Sequence, residues 1–294
     1  MSANFVIMGL PASGKTTFLA ALWHLVEAGE EVSRLKLDRY DGDLTYLNLI
    51  AQSWRTFQKV PRTSQVGDVS VTIHLVDSET GTKGAAVFPD LAGETFDAQV
   101  ESRRCRPEFI DTVTQDSGIL FFISADVRGE SMTVVELNSL MPKEPSGNVG
   151  PEPIDEAKKD QTPSTAIAEW SPKMVPAQVK VVQILSDLIR PPFEMRERRI
   201  AFIVSAWDLT DGMGQDPRTW LNRQMPLVSQ FLQTNANIFT HRVYGVSAQG
   251  VSLENRVAVD KVAQLVSSRR IRVVDGDNDG HDLTAPLVWL MSSK

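Results

Sequence analysis

A nine-residue stretch near the amino terminus constrains the fold of this chain more than any other part of its sequence. Gly9-Leu10-Pro11-Ala12-Ser13-Gly14-Lys15-Thr16-Thr17 fits the pattern G-x-x-x-x-G-K-[ST], the spacing of a phosphate-binding loop. Glycines at 9 and 14 let backbone N–H groups turn towards phosphate oxygens without a Cβ in the way. Lys15 is expected to reach the β- and γ-phosphates, and the Thr16 hydroxyl to ligate Mg²⁺.

The residues on either side of this loop predict the elements that such a loop requires. Residues 4–8 form a short apolar run, typical of a buried parallel strand. Residues 16–28 carry apolar side chains at helical spacing, and Gly29 is placed to end the helix. The order strand, loop, helix directs a helix amino terminus at the phosphates, which favours a phosphate site over a chance match.

The composition excludes several classes of protein. The chain has 294 residues, of which 42% are hydrophobic, so it can bury a large core. Its formal net charge of −7 argues against a general nucleic-acid or anionic-membrane binder. Cys105 is the single cysteine, which excludes an intramolecular disulfide and suits a reducing cytosol. We expect no signal peptide and no membrane span, and therefore a cytoplasmic protein.

Apolar runs alternate with helical patterns along the chain. Runs at 119–123, 200–204 and 242–246 predict buried strands, and the segments 69–75 and 85–89 predict an antiparallel hairpin. Helices are predicted from Asp43, as a cap, to about 57, and at 176–189, 220–232 and 286–291, the last with Thr284 available as its cap. This alternation indicates a three-layer α/β fold with a mainly parallel sheet, one antiparallel strand and helices on both faces.

We expect a single domain over residues 1–294, with a proline-rich surface insertion at about 127–176 that can touch a partner. A second, irregular segment is expected at about 251–280. Within it, Asp275 to Gly280 matches the start of a calcium-binding loop. Because Pro286 stands at the twelfth position, where such a loop needs a bidentate glutamate, we interpret these residues as an acidic surface loop.

A second motif follows the predicted strand at 85–89. Asp90-Leu91-Ala92-Gly93 places a carboxylate at a strand end, where a phosphate-binding loop needs one to hold the water shell of Mg²⁺ opposite Thr16. The backbone N–H of Gly93 is available to the γ-phosphate. Hydrolysis would remove that acceptor and release the segment, so the motif predicts a switch.

In these motifs and their order the chain resembles the Ras-like P-loop GTPases of the translation-factor-related class. The residues that carry the resemblance are the loop at 9–16, Asp90 to Gly93, Asp208 near a strand end, and Ser247-Ala248. Strand ends of a doubly wound sheet meet at one edge, where ligands bind. More narrowly, the segments 9–22, 89–96 and 286–290 resemble the bacterial double-GTPase group, which occurs in conflict and defence gene neighbourhoods.

The resemblance implies GTP or GDP as ligand and Mg²⁺ as cofactor. Ser205-Ala206-Trp207-Asp208 replaces the family's Asn-Lys-x-Asp, and its Asp208 can accept hydrogen bonds from guanine N1–H and the exocyclic amine. The lysine that stacks on the base is missing, so weaker guanine selectivity is expected; Trp207 is either a substitute surface or a core aromatic. The expected nucleotide contacts are Gly9, Ala12, Ser13, Gly14, Lys15, Thr16, Thr17, Gly93, Trp207, Asp208, Ser247 and Ala248.

The catalytic assignments are Lys15 and Glu94, and the metal ligands are Thr16, Thr63 and Asp90. Glu94 replaces the family's water-positioning glutamine; it can orient the attacking water, but its charge opposes the transition state, so slow hydrolysis is expected. Thr63, with Ser64 as competitor, is the candidate switch threonine. Arginines that can stabilise developing charge or meet an acidic partner are Arg62, Arg103, Arg104 and Arg106.

The sequence thus predicts a GTP-binding switch that regulates a protein partner through its switch regions and the 127–176 insertion, with no nucleic-acid partner. Two alternatives stay open at this point. One is a P-loop ATPase or small-molecule kinase, which competition between ATP and GTP distinguishes. The other is a scaffold that holds nucleotide without hydrolysing it, which phosphate release distinguishes.

Overall fold

The strand that precedes the phosphate-binding loop lies in the middle of a nine-stranded sheet in the computed structural model of the chain. The structure describes residues 3–61, 71–88, 94–114, 118–126 and 175–292, and of Glu94 and Thr95 only the backbone. Its strands are β1 Ala3–Gly9, β2 Leu35–Asp41, β3 Val71–Asp77, β4 Lys83–Phe88, β5 Gly118–Ser124, β6 Arg198–Ser205, β7 Phe239–Ser247, β8 Arg272–Asp275 and β9 Asn278–Gly280.

Helices connect most of these strands. The helices of the described residues are α1 Lys15–Ala28, α2 Leu44–Arg55, α3 Glu94–Ser102, α4 Pro107–Thr114, α5 Ala177–Asp187, α6 Pro217–Gln224, α7 Pro226–Thr234, α8 Arg256–Val262 and α9 Ala285–Met291. None of them is both long and apolar enough to cross a membrane. The described residues up to Asp126 and from Ala177 onward form one compact unit, and the predicted insertion falls almost entirely on residues that are not described.

The sheet has the order β2-β3-β4-β1-β5-β6-β7-β8-β9. Its five central strands are parallel neighbours in the order β4, β1, β5, β6 and β7. This confirms the predicted α/β class with a mainly parallel sheet. The predicted hairpin is also present, since β3 pairs antiparallel with β4. A second antiparallel strand, β8, follows β7 and lies in the segment that we expected to be irregular.

Two apolar cores lie on opposite faces of the sheet, as alternation along β1 requires. Phe5 and Ile7 join one core with α1, α2 and α9, whereas Val6 and Met8 join the other with α4 to α7. All four side chains are at most 1% exposed. Burial on both faces explains why β1 reads as a continuous apolar run, and it fixes the position of the phosphate-binding loop that follows.

Helix boundaries follow local signals in most places. Asp43 caps α2 as predicted, with its carboxylate accepting the N–H groups of Thr45 at 2.8 Å and Tyr46 at 3.2 Å. Gly29 ends α1 at φ 60°, also as predicted.

Three predictions of local structure are wrong. The single helix predicted at 220–232 is two helices, because Pro226 lacks an N–H and begins a new one. Thr284 does not cap α9, because its backbone is already helical and Asp282 accepts its N–H at 2.9 Å. The segment 251–280, expected to be irregular, contains α8, β8 and β9. Within it the residues from Asp275 to Gly280, expected to be an acidic loop, belong to the β8–β9 hairpin, where Asp275 and Asp279 form ion pairs with Arg242 and Arg272.

Candidate functional site

The candidate site lies at the edge of the sheet where β1, β5, β6 and β7 end. These four strands are parallel, so the loops after Gly9, Ser124, Ser205 and Ser247 leave the sheet on the same side. The phosphate-binding loop follows β1 and the segment with Asp208 follows β6. The topology therefore brings together the two motifs that the sequence separates by almost 200 residues.

The phosphate-binding loop depends on two glycines with positive φ. Gly9 has φ +147° and Gly14 has φ +86°, both in a region that side chains rarely adopt. A Cβ on Gly9 would lie 2.6 Å from the Phe122 carbonyl oxygen on β5, and one on Gly14 would lie 2.8 Å from Cβ of Ser205 on β6. The loop thus packs closely against the ends of both neighbouring strands, and alanine fits at neither position.

Lys15 is held across this loop. It is 6% exposed, and its Nζ donates hydrogen bonds to the carbonyl oxygens of Gly9 and Leu10, each at 2.7 Å. Its ammonium also lies 6.0 Å from the centre of the Phe96 ring on α3. The Ser13 hydroxyl, 3% exposed, donates to Leu10 O at 2.7 Å and so closes the turn. These contacts place a buried positive charge at the amino terminus of α1, where anions are favoured.

The remaining loop residues surround that charge. Ala12 is exposed with φ 57°, an uncommon backbone conformation for a residue with a Cβ, while Thr16 and Thr17 are half-buried in the first turn of α1. The N–H of Phe18 donates to Gly14 O at 2.9 Å and begins the helical ladder. The first N–H groups of an α-helix have no partner within the helix, and groups of this kind are suited to bind anions.

Asp208 and Ser247 form a hydrogen-bonded pair across the ends of β6 and β7. The Asp208 N–H donates to Ser247 Oγ at 2.7 Å, and the Ser247 hydroxyl donates to Asp208 Oδ1 at 2.8 Å. Ser247 is 2% exposed, whereas Asp208 is only partly buried. The serine thus orients the carboxylate, whose two oxygens have further lone pairs that can accept from a donor pair such as guanine N1–H and the exocyclic amine.

Trp207 belongs to the core, so its side chain does not supply the base-stacking surface that was one of its two predicted roles. It is 2% exposed, and its ring meets Trp220 edge-on at a centroid distance of 6.4 Å. Gly245 passes so close that a Cβ there would lie 2.6 Å from Trp207 Cγ. Ala206, where the family has lysine, has φ 52° and carries no long stem either.

Ala248 is held by a residue of the helix predicted from Asp43, to which the sequence analysis gave no role in the site. Its carbonyl oxygen accepts the indole N–H of Trp54, on α2, at 2.9 Å. Gln249, the next residue, donates from Nε2 to Trp54 O at 3.3 Å. Trp54 and Ala248 lie 194 residues apart in sequence, so no local pattern could have revealed the hydrogen bond between them.

The predicted switch residues fall largely outside the described part of the chain. Thr63 with Ser64, Arg62, Asp90 and Gly93 are not described, and for Glu94 only the backbone is, as the first residue of α3. Their assignment stays a prediction. The described part of α3 is tied to α5, because Lys180 Nζ donates to Asp97 Oδ1 at 2.9 Å.

Three of the four arginines considered for charge stabilisation lie in the turn after α3. Arg103 donates to Asp187 on α5 at 3.2 Å, while Arg104 and Arg106 are exposed. Between them, burial raises the pKa of the Cys105 thiol to about 11. A raised pKa favours the protonated thiol at neutral pH, which argues against a role as nucleophile.

Comparison with known proteins identifies the family. The family model described as DO-GTPase1, Double-GTPase 1, matches residues 6–290 of the chain. No curated protein matches the sequence.

Solved structures resemble the chain only distantly. The GTP-bound GTPase-like domain of S. cerevisiae Ski7 aligns with a TM-score of 0.42 and 11% identity over 86% of this chain and 44% of that one. For the nucleolar GTP-binding protein 1 of Plasmodium falciparum the TM-score is 0.37 with 12% identity, over 90% and 87%. For the signal recognition particle receptor complex of Chaetomium thermophilum it is 0.39 with 10% identity, over 84% and 91%. The chain spans less than half the length of the Ski7 chain, and these similarities are too weak to carry an argument about function.

Proposed function

The chain belongs to the double-GTPase 1 family, and from that membership we propose that it binds GTP with Mg²⁺, hydrolyses it slowly and acts as a switch for a protein partner. The observation that carries the proposal is the contact between the two halves of the site. Gly14, in the phosphate-binding loop, packs on Ser205, three residues before Asp208. A phosphate cradle and a carboxylate suited to guanine thus share one edge of the sheet.

Phosphate binding rests on the charge and the N–H groups at the start of α1. Lys15 would exchange its bonds to Gly9 O and Leu10 O for phosphate oxygens, which are charged and therefore stronger acceptors. The α1 dipole and its first-turn N–H groups add to the attraction. Burial of Lys15 at 6% exposure limits the screening of its charge by water.

The metal assignment fits the chemistry of the available ligands. Thr16 stands half-buried in the first turn of α1, one residue after Lys15, and offers a hydroxyl oxygen, the hard type of ligand that Mg²⁺ prefers. Asp90 and Thr63 are proposed as further oxygen groups. When bound, Mg²⁺ would neutralise phosphate charge and orient the terminal phosphate.

Slow turnover follows from Glu94. A carboxylate can accept a hydrogen bond from the attacking water, but it adds negative charge beside a transition state that is already negative. Arg103, which directly follows α3, is engaged by Asp187 and would have to leave that partner to help. We therefore propose that a partner protein supplies what the isolated chain lacks. The settings that the family resemblance suggests for such a partner are bacterial conflict or defence systems.

The hydrolysis proposal is tested by phosphate release from GTP under single-turnover conditions. We expect slow release by the intact chain in the presence of Mg²⁺ and none by Lys15→Ala, which serves as the blank. Glu94→Ala should slow the single-turnover rate if Glu94 orients water, and an unchanged rate would refute that role. If the intact chain binds GTP but releases no phosphate even with its partner present, a nucleotide-holding scaffold replaces the switch.

A further inference from the structure

A buried cluster connects α2 to the loop at 247–250, on the side of the sheet opposite Trp207. Its centre is Trp54, which is 0% exposed and donates its indole N–H to Ala248 O at 2.9 Å. The backbone of the same residue accepts from Gln249 Nε2 at 3.3 Å. Two hydrogen bonds thus join one turn of α2 to two successive residues of the loop.

Arg270 also belongs to this cluster. Its guanidinium lies 4.5 Å from the Trp54 ring centre and 4.1 Å from that of Phe57, and its Nη1 donates to Arg55 O at 3.4 Å. Burial lowers the pKa of Arg270 to about 10, so the group remains charged at neutral pH and favours the aromatic faces. The backbone of Arg270 also packs directly under Gly250, where a Cβ would lie 2.9 Å from the Arg270 carbonyl carbon.

The loop held in this way carries the serine that orients Asp208. Ala248 follows Ser247, and Ser247 Oγ both accepts from the Asp208 N–H and donates to Asp208 Oδ1. Because Ala248 is bonded directly to Ser247, at the end of β7, we expect a displacement of Ala248 to shift Ser247 and change the direction of the Asp208 carboxylate. The chain of contacts runs from Trp54 through Ala248 and Ser247 to the group assigned to the base.

We propose that Trp54 and Arg270 are positioning residues that fix the Ser247–Asp208 pair and thereby determine selectivity for guanine, with no contact to the nucleotide themselves. The proposal rests on the proposed function, since it assumes that Asp208 reads the base. The fixed geometry offers this site a source of selectivity in place of the missing lysine at position 206: the carboxylate is held in place for its donor pair. Held groups discriminate better than mobile ones because less conformational entropy of the protein is lost when the base binds.

The test measures a ratio, because a ratio removes effects that are common to all nucleotides. GTP and ATP share their phosphate contacts, so Kd for ATP divided by Kd for GTP reports on the base alone and does not depend on the fraction of folded protein. Trp54→Phe keeps an aromatic ring but removes the indole donor. Loss of one buried hydrogen bond to the loop should reduce the ratio about fivefold. Inosine triphosphate, which lacks the exocyclic amine, should likewise approach GTP in affinity.

Trp23→Phe is the matched control. Trp23 is 2% exposed, and its indole N–H also bonds to α2, at Asn48 Oδ1, 3.2 Å away, but it makes no contact with the 247–250 loop among the hydrogen bonds of the described residues. Its replacement creates a similar defect in the same core and should leave the ratio unchanged. Arg270→Lys provides a second variant, which keeps the charge, loses the stacked plane and should lower the ratio in the same direction.

The outcomes separate the positioning role from the proposed function. A lower ratio in Trp54→Phe and Arg270→Lys, with Trp23→Phe like the wild type, supports the positioning role. A ratio in both variants within twofold of the control overturns it while guanine binding stands. If Trp54→Phe does not fold, Arg270→Lys decides alone. A wild-type chain that binds ATP as well as GTP overturns the proposed reading of the base by Asp208, and the positioning role with it.

Discussion

Replacing Gly14 with alanine separates the two functions of this glycine, backbone conformation and close packing. At φ +86° an L-residue is strained by about 1–2 kcal/mol. The added Cβ would also lie 2.8 Å from Ser205 Cβ and 2.9 Å from Ser205 Oγ, and such overpacking costs about 1–3 kcal/mol. We therefore expect Gly14→Ala to lower the free energy of unfolding by about 2–5 kcal/mol.

Gly29→Ala is the control, because Gly29 ends the same helix at φ +60° but a Cβ added there would have no neighbouring atom within 4 Å among the described residues. It should cost only the backbone strain, about 1–2 kcal/mol, in urea unfolding. GTP binding provides the second readout. To relieve the clash the loop must move away from Ser205, so at least one charged hydrogen bond to phosphate should be lost and affinity should fall about tenfold or more. Gly29→Ala should bind GTP like the wild type. If Gly14→Ala binds GTP normally, or is no less stable than Gly29→Ala, the close packing of the loop on β6 does not have the effect on binding and stability that we assign to it.

Three further predictions concern the base, the core and an ion pair. Asp208→Asn should lose about tenfold or more in GTP affinity and gain affinity for xanthosine triphosphate, whose 2-oxo group accepts from the new amide. Competition binding would measure both affinities, and an unchanged GTP affinity would refute the assignment of Asp208 to the base. Gly245→Ala should cost about 2–3 kcal/mol in urea unfolding, because its Cβ would lie 2.6 Å from Trp207 Cγ, and a cost below about 0.5 kcal/mol would contradict that packing. Hydrogen bonds from Arg34 hold the pKa of Asp77 well below its ordinary value. The ionised Asp77 therefore stabilises the folded state fully above the unfolded pKa of about 3.9, and this stabilisation is lost as the pH falls towards the lower folded pKa. Asp77→Asn should thus cost about 2 kcal/mol at pH 7 and less at pH 3, and an equal cost at both values would refute the linkage.

The parts of the fold that the sequence predicts are those specified by local signals. The strand, loop and helix around Gly9 to Gly29 follow from spacing alone, and Asp43 marks the start of α2 through a side chain that bonds its own first turn. Predictions from local signals were wrong where contacts with residues distant in the sequence determine the secondary structure. The strand β8 is only Arg272–Asp275, and it becomes a strand because β7 offers its free edge between Gly245 and Ser247.

The candidate site divides in the same way. The phosphate-binding loop consists of nine consecutive residues, so its chemistry can be recognised from the sequence alone. Trp207 was ambiguous because an aromatic beside Asp208 fits either a base or a core, and the approach of Gly245 on the next strand makes it a core residue. Trp54 was missed because its partner Ala248 is brought to it only by the sheet.

The most direct test of the central claim is the identity of the nucleotide that the chain retains. The protein is incubated with equimolar GTP and ATP in the presence of Mg²⁺, separated from free nucleotide, denatured and analysed by chromatography. Guanine nucleotide in clear excess over adenine nucleotide is the predicted result, and Lys15→Ala should retain neither. Adenine nucleotide in equal or greater amount, or no retained nucleotide at all, would contradict the account.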